Sequence, residues 1–529
     1  MAPAPWSSIP ALLDDAARRF PDREALVDGS VRWTFPELVS RVHAAAAALI
    51  ASGVAHGDPV GLWAPNIAEW VVAALAVHSV GAVLIPVNTR FRGREAADIL
   101  RRARVRLLFT VTDFLDLDYV EMIRAQPDLV LEEIVVLRGA VPAGTVALDD
   151  FLARGRAIDD ASRAIRAAAV GADDVCHILF TSGTTGAPKG AILQHGPICR
   201  AYLVFSDVVG LREGDRYLIV NPFFHSFGLH AGILCCLMMG ATMIPEVVFD
   251  PAAVMRRIAE EKITAFPGPP AVYQGILSHP DLDRVDLSSL RVAILGASSI
   301  PVELVRQMRE RLRIETVVTG YGITEASGLV TICRHDDPPE IVATTAGRAL
   351  PGVELRLLAD SGSDVPRGEA GEVLVRGYNL MLEYLDDPGE TARAIDGDGW
   401  LHTGDIGVLR ADDNLVITDR KKDMFIVGGF NVSPAEIENA MLRHPDIAQV
   451  AVIGVPDERL GEVGAAFVVP SPGAAPDPEE IIRWCRQEIA NYKVPRFVRM
   501  VDQLPLNATG KVLKYALRER AAEMLTEST

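Results

Sequence analysis

Short apolar runs, each placed just after a stretch of helical periodicity, constrain this chain more than any other feature. Val83 to Val87, Ile134 to Leu137, Thr242 to Pro245 and Val292 to Leu295 are of this kind. Consecutive apolar positions leave no face for water, which marks strands covered on both sides, as in sheets lying between helix layers. Thr34-Phe35-Pro36-Glu37 reads as a capping box that opens an alanine-rich helix running through Ile50. Helix and strand alternate from there, which predicts a layered α/β body. Near residue 350 the pattern shortens: Val353 to Leu358, Gly371 to Arg376, Trp400 to Thr403, Gly407 to Leu409 and Leu415 to Ile417 are strands between Gly, Pro and Asp turns. A β-rich subdomain is expected there. A basic knot follows, Arg420-Lys421-Lys422-Asp423, and then a capping box at Ser433-Pro434-Ala435-Glu436. Strands are predicted at Gln449 to Val455 and Ala465 to Val469, with Asp477 capping a further helix. The expected boundary is the knot, dividing the chain into 1–419, a hinge at 420–422, and 423–529.

Composition excludes several classes. The 529 residues suffice for about three or four units that each bury a core. At a net charge of -18 the chain would be repelled by nucleic acid and by an anionic membrane face, so an anionic ligand must meet a local cluster of donors. Cysteines at 176, 199, 235, 236, 333 and 485 show no C-x-x-C spacing, which suits reduced, core-filling thiols in the cytoplasm better than a disulfide frame or a zinc site. Asp14 and Asp15 stand where an export signal would be basic and then apolar. Val71 to Val87 is broken by His78, Gly81 and Pro86, and Ala231 to Pro245 is shorter than the ~20 residues needed to cross a bilayer, so each is expected to be a buried helix turning into a buried strand.

The most informative stretch is Thr181-Ser182-Gly183-Thr184-Thr185-Gly186-Ala187-Pro188-Lys189-Gly190, after a strand ending near Phe180. Glycines let backbone N–H groups approach phosphate oxygens, hydroxyls donate further bonds or reach Mg²⁺, and lysine adds a point charge. Lys189 lies between Pro188 and Gly190 rather than between glycine and Ser/Thr, which excludes a Walker loop. Neither Ser182 nor Ser298 sits in G-x-S-x-G, which excludes a nucleophile elbow. Gly320-Tyr321-Gly322-Ile323-Thr324-Glu325 begins like a dinucleotide fingerprint but ends in Glu.

Taken with Thr403-Gly404-Asp405, Asp419-Arg420-Lys421-Lys422-Asp423 and Pro505-Leu506-Asn507-Ala508-Thr509-Gly510-Lys511, these segments resemble the signature series of the adenylate-forming superfamily. The resemblance implies an α/β fold: a large N-terminal domain of two layered α/β subdomains plus a β-rich subdomain, with a small mobile α+β C-terminal domain. It implies an acid:thiol ligase that uses ATP, Mg²⁺ and coenzyme A, because a carboxylate must be turned into an anhydride with AMP before a thiol can displace its oxygen. Adenylation is phosphoryl chemistry, so positioned cations matter more than a protein nucleophile. Carried onto matching positions, the pattern puts Thr181 to Lys189 around the pyrophosphate portion, with Thr181 and Glu325 as hard oxygen ligands of Mg²⁺. Gly296-Ala297-Ser298 resembles the adenine-contacting turn, and Tyr321, within the Gly320, Gly322 and Thr324 motif, would lie against the ring. Asp405 resembles the residue that grips both ribose hydroxyls, with Arg420 a nearby cation; a T-G-D turn could otherwise use its Asp as a simple cap. Lys511 resembles the lysine that bridges carboxylate and α-phosphate and leaves with its domain. Lys422 matches the hinge between half-reactions. Gly428-Gly429-Phe430 matches the loop lining the pantetheine tunnel.

For the acid, the segment Pro222-Phe223-Phe224-His225-Ser226-Phe227-Gly228 carries His225 where amino-acid-activating relatives carry Asp, and an imidazole offers no fixed counter-charge to an amine. His225 is expected beside the acyl carboxylate, the alternative being a packed core histidine. Gly228, Gly232 and Gly240 are expected to leave space beside Phe224 and Phe227 for a bulky apolar acid. From Asn221 through Gly347 above all, the chain resembles actinobacterial acyl-CoA synthetases of steroid catabolism, which activate a propanoate on a bicyclic indane. A medium-chain fatty acyl-CoA synthetase and an acyl-AMP ligase serving a carrier protein are the competing readings. The partners implied are small molecules, with a homodimer left open.

Overall fold

The apolar runs are strands of two large sheets in the computed structural model, which describes residues 4–527 except 113, 182–187, 297–301, 360, 421–424, 433, 472, 506–511 and 513. Seven strands form the first sheet, in the order Val146–Ala147, Glu133–Arg138, Leu107–Val111, Pro59–Trp63, Val83–Pro86, Val175–Thr181 and Lys189–Gln194. Nine form the second: Arg348–Ala349, Thr331–Ile332, Thr316–Tyr321, Val292–Leu295, Ala265–Gly268, Arg216–Ile219, Thr242–Pro245, Glu24–Asp28 and Val31–Thr34. From Thr316–Tyr321 across to Glu24–Asp28 in the second sheet, and from Val146–Ala147 across to Val175–Thr181 in the first, the pairings are parallel, and the fully buried strands Val83–Pro86, Thr242–Pro245 and Val292–Leu295 are ones expected from unbroken apolarity. Glu24–Asp28 skips the sheet that follows it and pairs with Thr242–Pro245, Leu26 aligning with Met243.

Helix Ala68–Ser79 explains the first stretch weighed as a membrane span. It touches both Glu24–Asp28 of one sheet and Glu133–Arg138 of the other, so all its faces are covered, and every residue except Glu69 is buried. An all-round apolar helix is what such a position requires. Among the described residues no helix is long and apolar enough to cross a membrane. The capping box at Thr34 forms in full, with Glu37 N–H donating to the Thr34 hydroxyl and Thr34 N–H to the Glu37 carboxylate, and the helix runs Phe35–Ala51.

The β-rich subdomain is a four-stranded antiparallel sheet of Val353–Leu358, Ala370–Gly377, Leu401–Leu409 and Leu415–Arg420. Here the expectation of two strands at 400–409 is corrected: one strand, Leu401–Leu409, runs through. Gly404 sits in it with φ +69°, opposite a register shift between Glu372 and Leu374, so a bulge looked like a turn.

The chain divides into two compact units, one of Met1–Thr89, Ala97–Leu179 and Gly190–Thr418, the other of Arg90–Ala96, Phe180–Lys189 and Asp419–Thr529. The second unit is built on a five-stranded sheet, with Ile447–Asp457 and Gly461–Pro470 as its long hairpin and Phe497–Met500 parallel to the latter. Helices Pro434–Met441 and Pro478–Glu488 pack one face through Ile437, Met441, Ile481 and Cys485. All six cysteines are buried and unpaired. Burial pushes Cys199, Cys235 and Cys485 up to about 12 and Cys333 to about 11, and raises Cys176 and Cys236 well above the ordinary thiol value.

Candidate active site

Three of the sequence motifs are brought together because each follows the carboxyl end of a strand in the parallel core of the nine-stranded sheet. Asn221 to Gly228 follows Arg216–Ile219, Gly296 follows Val292–Leu295, and Gly322 to Glu325 follows Thr316–Tyr321. Crevices outside the carboxyl ends of parallel strands are where open α/β sheets bind ligands. The phosphate-loop residues Ser182, Gly183, Thr184, Thr185 and Gly186, the turn residues Ala297 and Ser298, the hinge Lys422 and the lysine Lys511 lie outside the described residues. Thr181 and Lys189 flank that loop as the last and first residues of their strands, the Thr181 hydroxyl reaching the Lys189 carbonyl at 3.5 Å. Arg420 ends the strand Leu415–Arg420.

Tyr321 and Asp405 meet directly. The Tyr321 phenol donates to Asp405 Oδ2 at 2.6 Å, and Asp405 is only 4% exposed. The turn around Asp405 is held by other groups, with Asp405 N–H donating to the Thr403 hydroxyl at 3.1 Å and Gly404 N–H to Glu372 Oε1 at 3.2 Å. Thr403 and Glu372 thus supply acceptors for two backbone donors of this turn.

The segment from Gly322 to Leu329 is tightly specified. A methyl on Gly322 would stand 2.2 Å from the Gly328 carbonyl oxygen, so only glycine fits. Ser327 and Gly328 are left-handed, at φ +57° and +84°. The Ser327 carbonyl accepts from the Tyr202 phenol and from His230 Nδ1, both at 3.1 Å, and the Ser327 hydroxyl donates to the Asn379 carbonyl at 2.7 Å. Because a carbonyl can only accept, His230 carries its proton on Nδ1, and His177 Nε2–H must donate to His230 Nε2 at 2.8 Å. Burial pushes His230 down to about 3 and His177 well below its ordinary value, so both are neutral at pH 7. Glu325 accepts from the Tyr384 phenol at 2.7 Å, while burial and then the Glu325 charge push that phenol far up and keep its proton in place.

His225 caps the N-terminus of the helical stretch that begins at Ser226, its Nδ1 accepting from Phe227 N–H at 3.2 Å. Its side chain is open to solvent rather than packed in the core, but protein crowds it enough to hold the imidazole below its ordinary value and neutral at pH 7. Phe227 lies beside Gly296, where a methyl would come 3.5 Å from the phenyl ring. The glycines do not open a pocket, contrary to expectation. A methyl on Gly228 would stand 2.2 Å from the Pro222 carbonyl oxygen, Gly232 faces Ile219, and Gly240 is a left-handed helix C-cap against Phe20. Their missing side chains are filled by neighbouring protein. Sequence reasoning also missed Asn66, a buried amide that donates to the carbonyls of Ile219 and Asn221 and accepts from Phe223 N–H, holding the loop before His225.

In the second unit, Gly428 and Gly429 form a two-residue hairpin turn with φ +55° and +86° between Phe425–Val427 and Phe430–Val432. That turn demands glycine for its own backbone. Phe430 packs on Tyr492 at 4.6 Å under the Arg90 guanidinium. Lys493, 2% exposed, is held between Glu95 at 3.0 Å and Glu436 at 2.5 Å. A paired, buried lysine could have been suspected only from its place in an otherwise apolar segment.

The AMP-binding enzyme family matches residues 13–385, and the AMP-binding enzyme C-terminal domain matches residues 436–511. Two relatives, from Rhodococcus jostii (strain RHA1) and Mycobacterium tuberculosis, are named 7a-methyl-1,5-dioxo-octahydroindenyl-propanoyl:CoA ligases; they are 48% and 49% identical over 97% of this chain and 98% of theirs. The chain belongs to the AMP-binding enzymes and is an AMP-forming acyl-CoA synthetase. ATP and coenzyme A are accordingly co-substrates of this synthetase. An o-succinylbenzoate CoA synthetase from Bacillus subtilis, solved with a product analogue, superposes on it with a TM-score of 0.81 at 26% identity, covering 98% of each chain.

Proposed function

We propose that the acid activated by this synthetase is a propanoate carried on a bicyclic indane, of the kind left by steroid ring degradation, and that catalysis takes place in the cytoplasm. The observation that carries the reading is identity near one half, sustained over almost the whole chain, to two ligases named for that acyl group. The exposed, neutral His225, where a fixed counter-charge to an amine would be needed, supports an acid without an amino group over an amino acid. The six buried, unpaired thiols support a reducing compartment.

In this reading Asp405 grips the ribose and Arg420 supplies a cation; Gly296, Ala297, Ser298 and Tyr321 hold adenine; and Gly320, Gly322 and Thr324 shape the turn between them. Ser182, Gly183, Thr184, Thr185, Gly186 and Lys189 embrace the outgoing pyrophosphate. His225 stands beside the carboxylate, with Phe224 and Phe227 around the acyl group, while Gly228 lets the backbone pack against Pro222. Lys511 neutralises charge as the carboxylate attacks the α-phosphorus. Lys422 turns the C-terminal domain, after which Gly428, Gly429 and Phe430 meet the pantetheine arm. Magnesium would be held by Thr181 and Glu325. Both are hard oxygen donors, which suits an ion that arrives with ATP and takes further ligands from phosphate and water. When bound, it supplies charge for the departing pyrophosphate.

A rigid bicycle loses little rotamer entropy on binding, whereas a flexible fatty acid surrenders several torsions. The expected kcat/KM for the indane propanoate is at least ~100-fold above that for octanoate, about 2.7 kcal/mol of differential transition-state binding. Side-by-side kinetics decide it. Preference for octanoate or a longer chain would replace this reading with a medium-chain synthetase, and adenylation without a free coenzyme A thioester would replace it with a carrier-protein ligase.

A further inference from the structure

Both ends of Glu325 are held by one short segment that the sequence motifs do not include. Met381 N–H donates to the Glu325 backbone carbonyl at 2.7 Å, and three residues on, the Tyr384 phenol donates to Glu325 Oε1, also at 2.7 Å. The segment is itself fixed against the strand Lys189–Gln194. Leu382 N–H bonds the Ile192 carbonyl at 2.9 Å, Ile192 N–H the Glu383 carbonyl at 3.0 Å, and Leu385 N–H the Gly190 carbonyl at 2.8 Å, with Ala191 and Tyr384 in antiparallel register. Tyr384 N–H is further tied to the Thr391 hydroxyl at 2.9 Å. The phenol is thus rigidly mounted, 6% exposed, and its backbone is registered on the strand that leaves the phosphate loop.

We infer that Tyr384 is a positioning residue for the Glu325 carboxylate, holding it in the rotamer that meets the magnesium of bound ATP and setting it relative to the Gly190–Ile192 strand. This rests on the assignment of Glu325 as a metal ligand. A free glutamate samples several rotamers, and a hydrogen bond from a fixed donor removes that search before the ion arrives. Partners that orient metal ligands are worth about 10–100-fold in metal affinity.

The test uses the full-length enzyme with a non-hydrolysable ATP analogue and Mn²⁺, binding being read by electron paramagnetic resonance in Tyr384→Phe and Glu325→Gln. Tyr384→Phe is expected to weaken Mn²⁺ binding about 10–100-fold and to raise the Mg²⁺ needed for half-maximal acyl-AMP formation by a similar factor. Thioester formation from supplied acyl-AMP, which involves no triphosphate, should persist. Tyr384→Phe with a lowered melting temperature but parental Mn²⁺ affinity would make the tyrosine merely structural and overturn the inference. Parental Mn²⁺ affinity in Glu325→Gln would instead overturn the assignment of Glu325, and the inference with it. Should Tyr384→Phe fail to fold, Thr391→Val loosens the mounting without touching the phenol; weakened Mn²⁺ binding in that variant supports the inference, and parental affinity overturns it.

Discussion

Gly228 carries a lesson about single residues. In the sequence it is an absence of side chain next to two phenylalanines, which reads as room for substrate; in the structure the Pro222 carbonyl occupies that room. A sequence reports that a volume is missing but not what fills it. The two interpretations predict different variants. Gly228→Ala should do more than trim the acyl pocket: a methyl driven to 2.2 Å from a backbone oxygen cannot be relieved by a side-chain rotation, so a loss of about 1–3 kcal/mol or more is expected from urea unfolding. Parental stability with altered acid preference would restore the pocket interpretation. Asp405 went the other way. Its motif context favours a ligand-facing role over a turn cap, and the structure adds a partner the motifs did not name, the Tyr321 phenol. Tyr384 and Asn66 stayed hidden since their partners lie far along the chain, Glu325 for one and the 219–223 loop for the other.

At the level of elements, the buried strands, the Thr34 capping box and the fully buried helix were legible because period and capping chemistry are local. The bulge at Gly404 was not, since a left-handed glycine marks a bulge and a turn alike. Nor does any local pattern reveal that helix Ala68–Ser79, strand Val175–Thr181, helix His195–Val208 and the stretch Leu229–Leu234 bring four histidines into one buried group. His78 and His177 have ring centroids 5.7 Å apart, His78 and His195 5.6 Å, and His177 and His230 4.8 Å. Burial pushes His195 and His230 down to about 3 and the other two well below the ordinary value of 6.5. Each stays neutral in the fold where the unfolded chain would take up a proton. Stability is therefore full above pH 6.5 and is lost as the pH falls toward the folded-state values, by about 2 kcal/mol at pH 5 for each of His195 and His230, with His78 and His177 acting in the same direction. Urea midpoints between pH 8 and pH 5 should show the fall, and His78→Leu should flatten it by one histidine's share. An unchanged slope in that variant would assign the acid sensitivity to other groups.

For the molecule as a whole, motif order along the chain was readable and strand order within a sheet was not. The pairing of Glu24–Asp28 with Thr242–Pro245 is a long-range parallel contact with no neighbouring signal to announce it. A two-step reaction divides the work between residues near the chemistry and residues that allow rearrangement, so two substitutions should fail in opposite ways. Lys511→Ala should lose about 10²–10³ in acyl-AMP formation and retain thioester formation from supplied acyl-AMP. Lys422→Pro, with φ held near -65°, should retain the first step and slow the second. Stopped-flow measurement of each step in both variants is the check; equal losses in both steps would dissolve the division. The six sealed cysteines have a practical corollary. Since each is buried and holds its proton well above neutral pH, the native enzyme presents almost no thiolate of its own beside a substrate whose reactive group is a thiol. A colorimetric thiol reagent can then follow coenzyme A consumption without background from the protein, and the same reagent, added as the chain is denatured, counts six new sulfhydryls as a direct meter of unfolding.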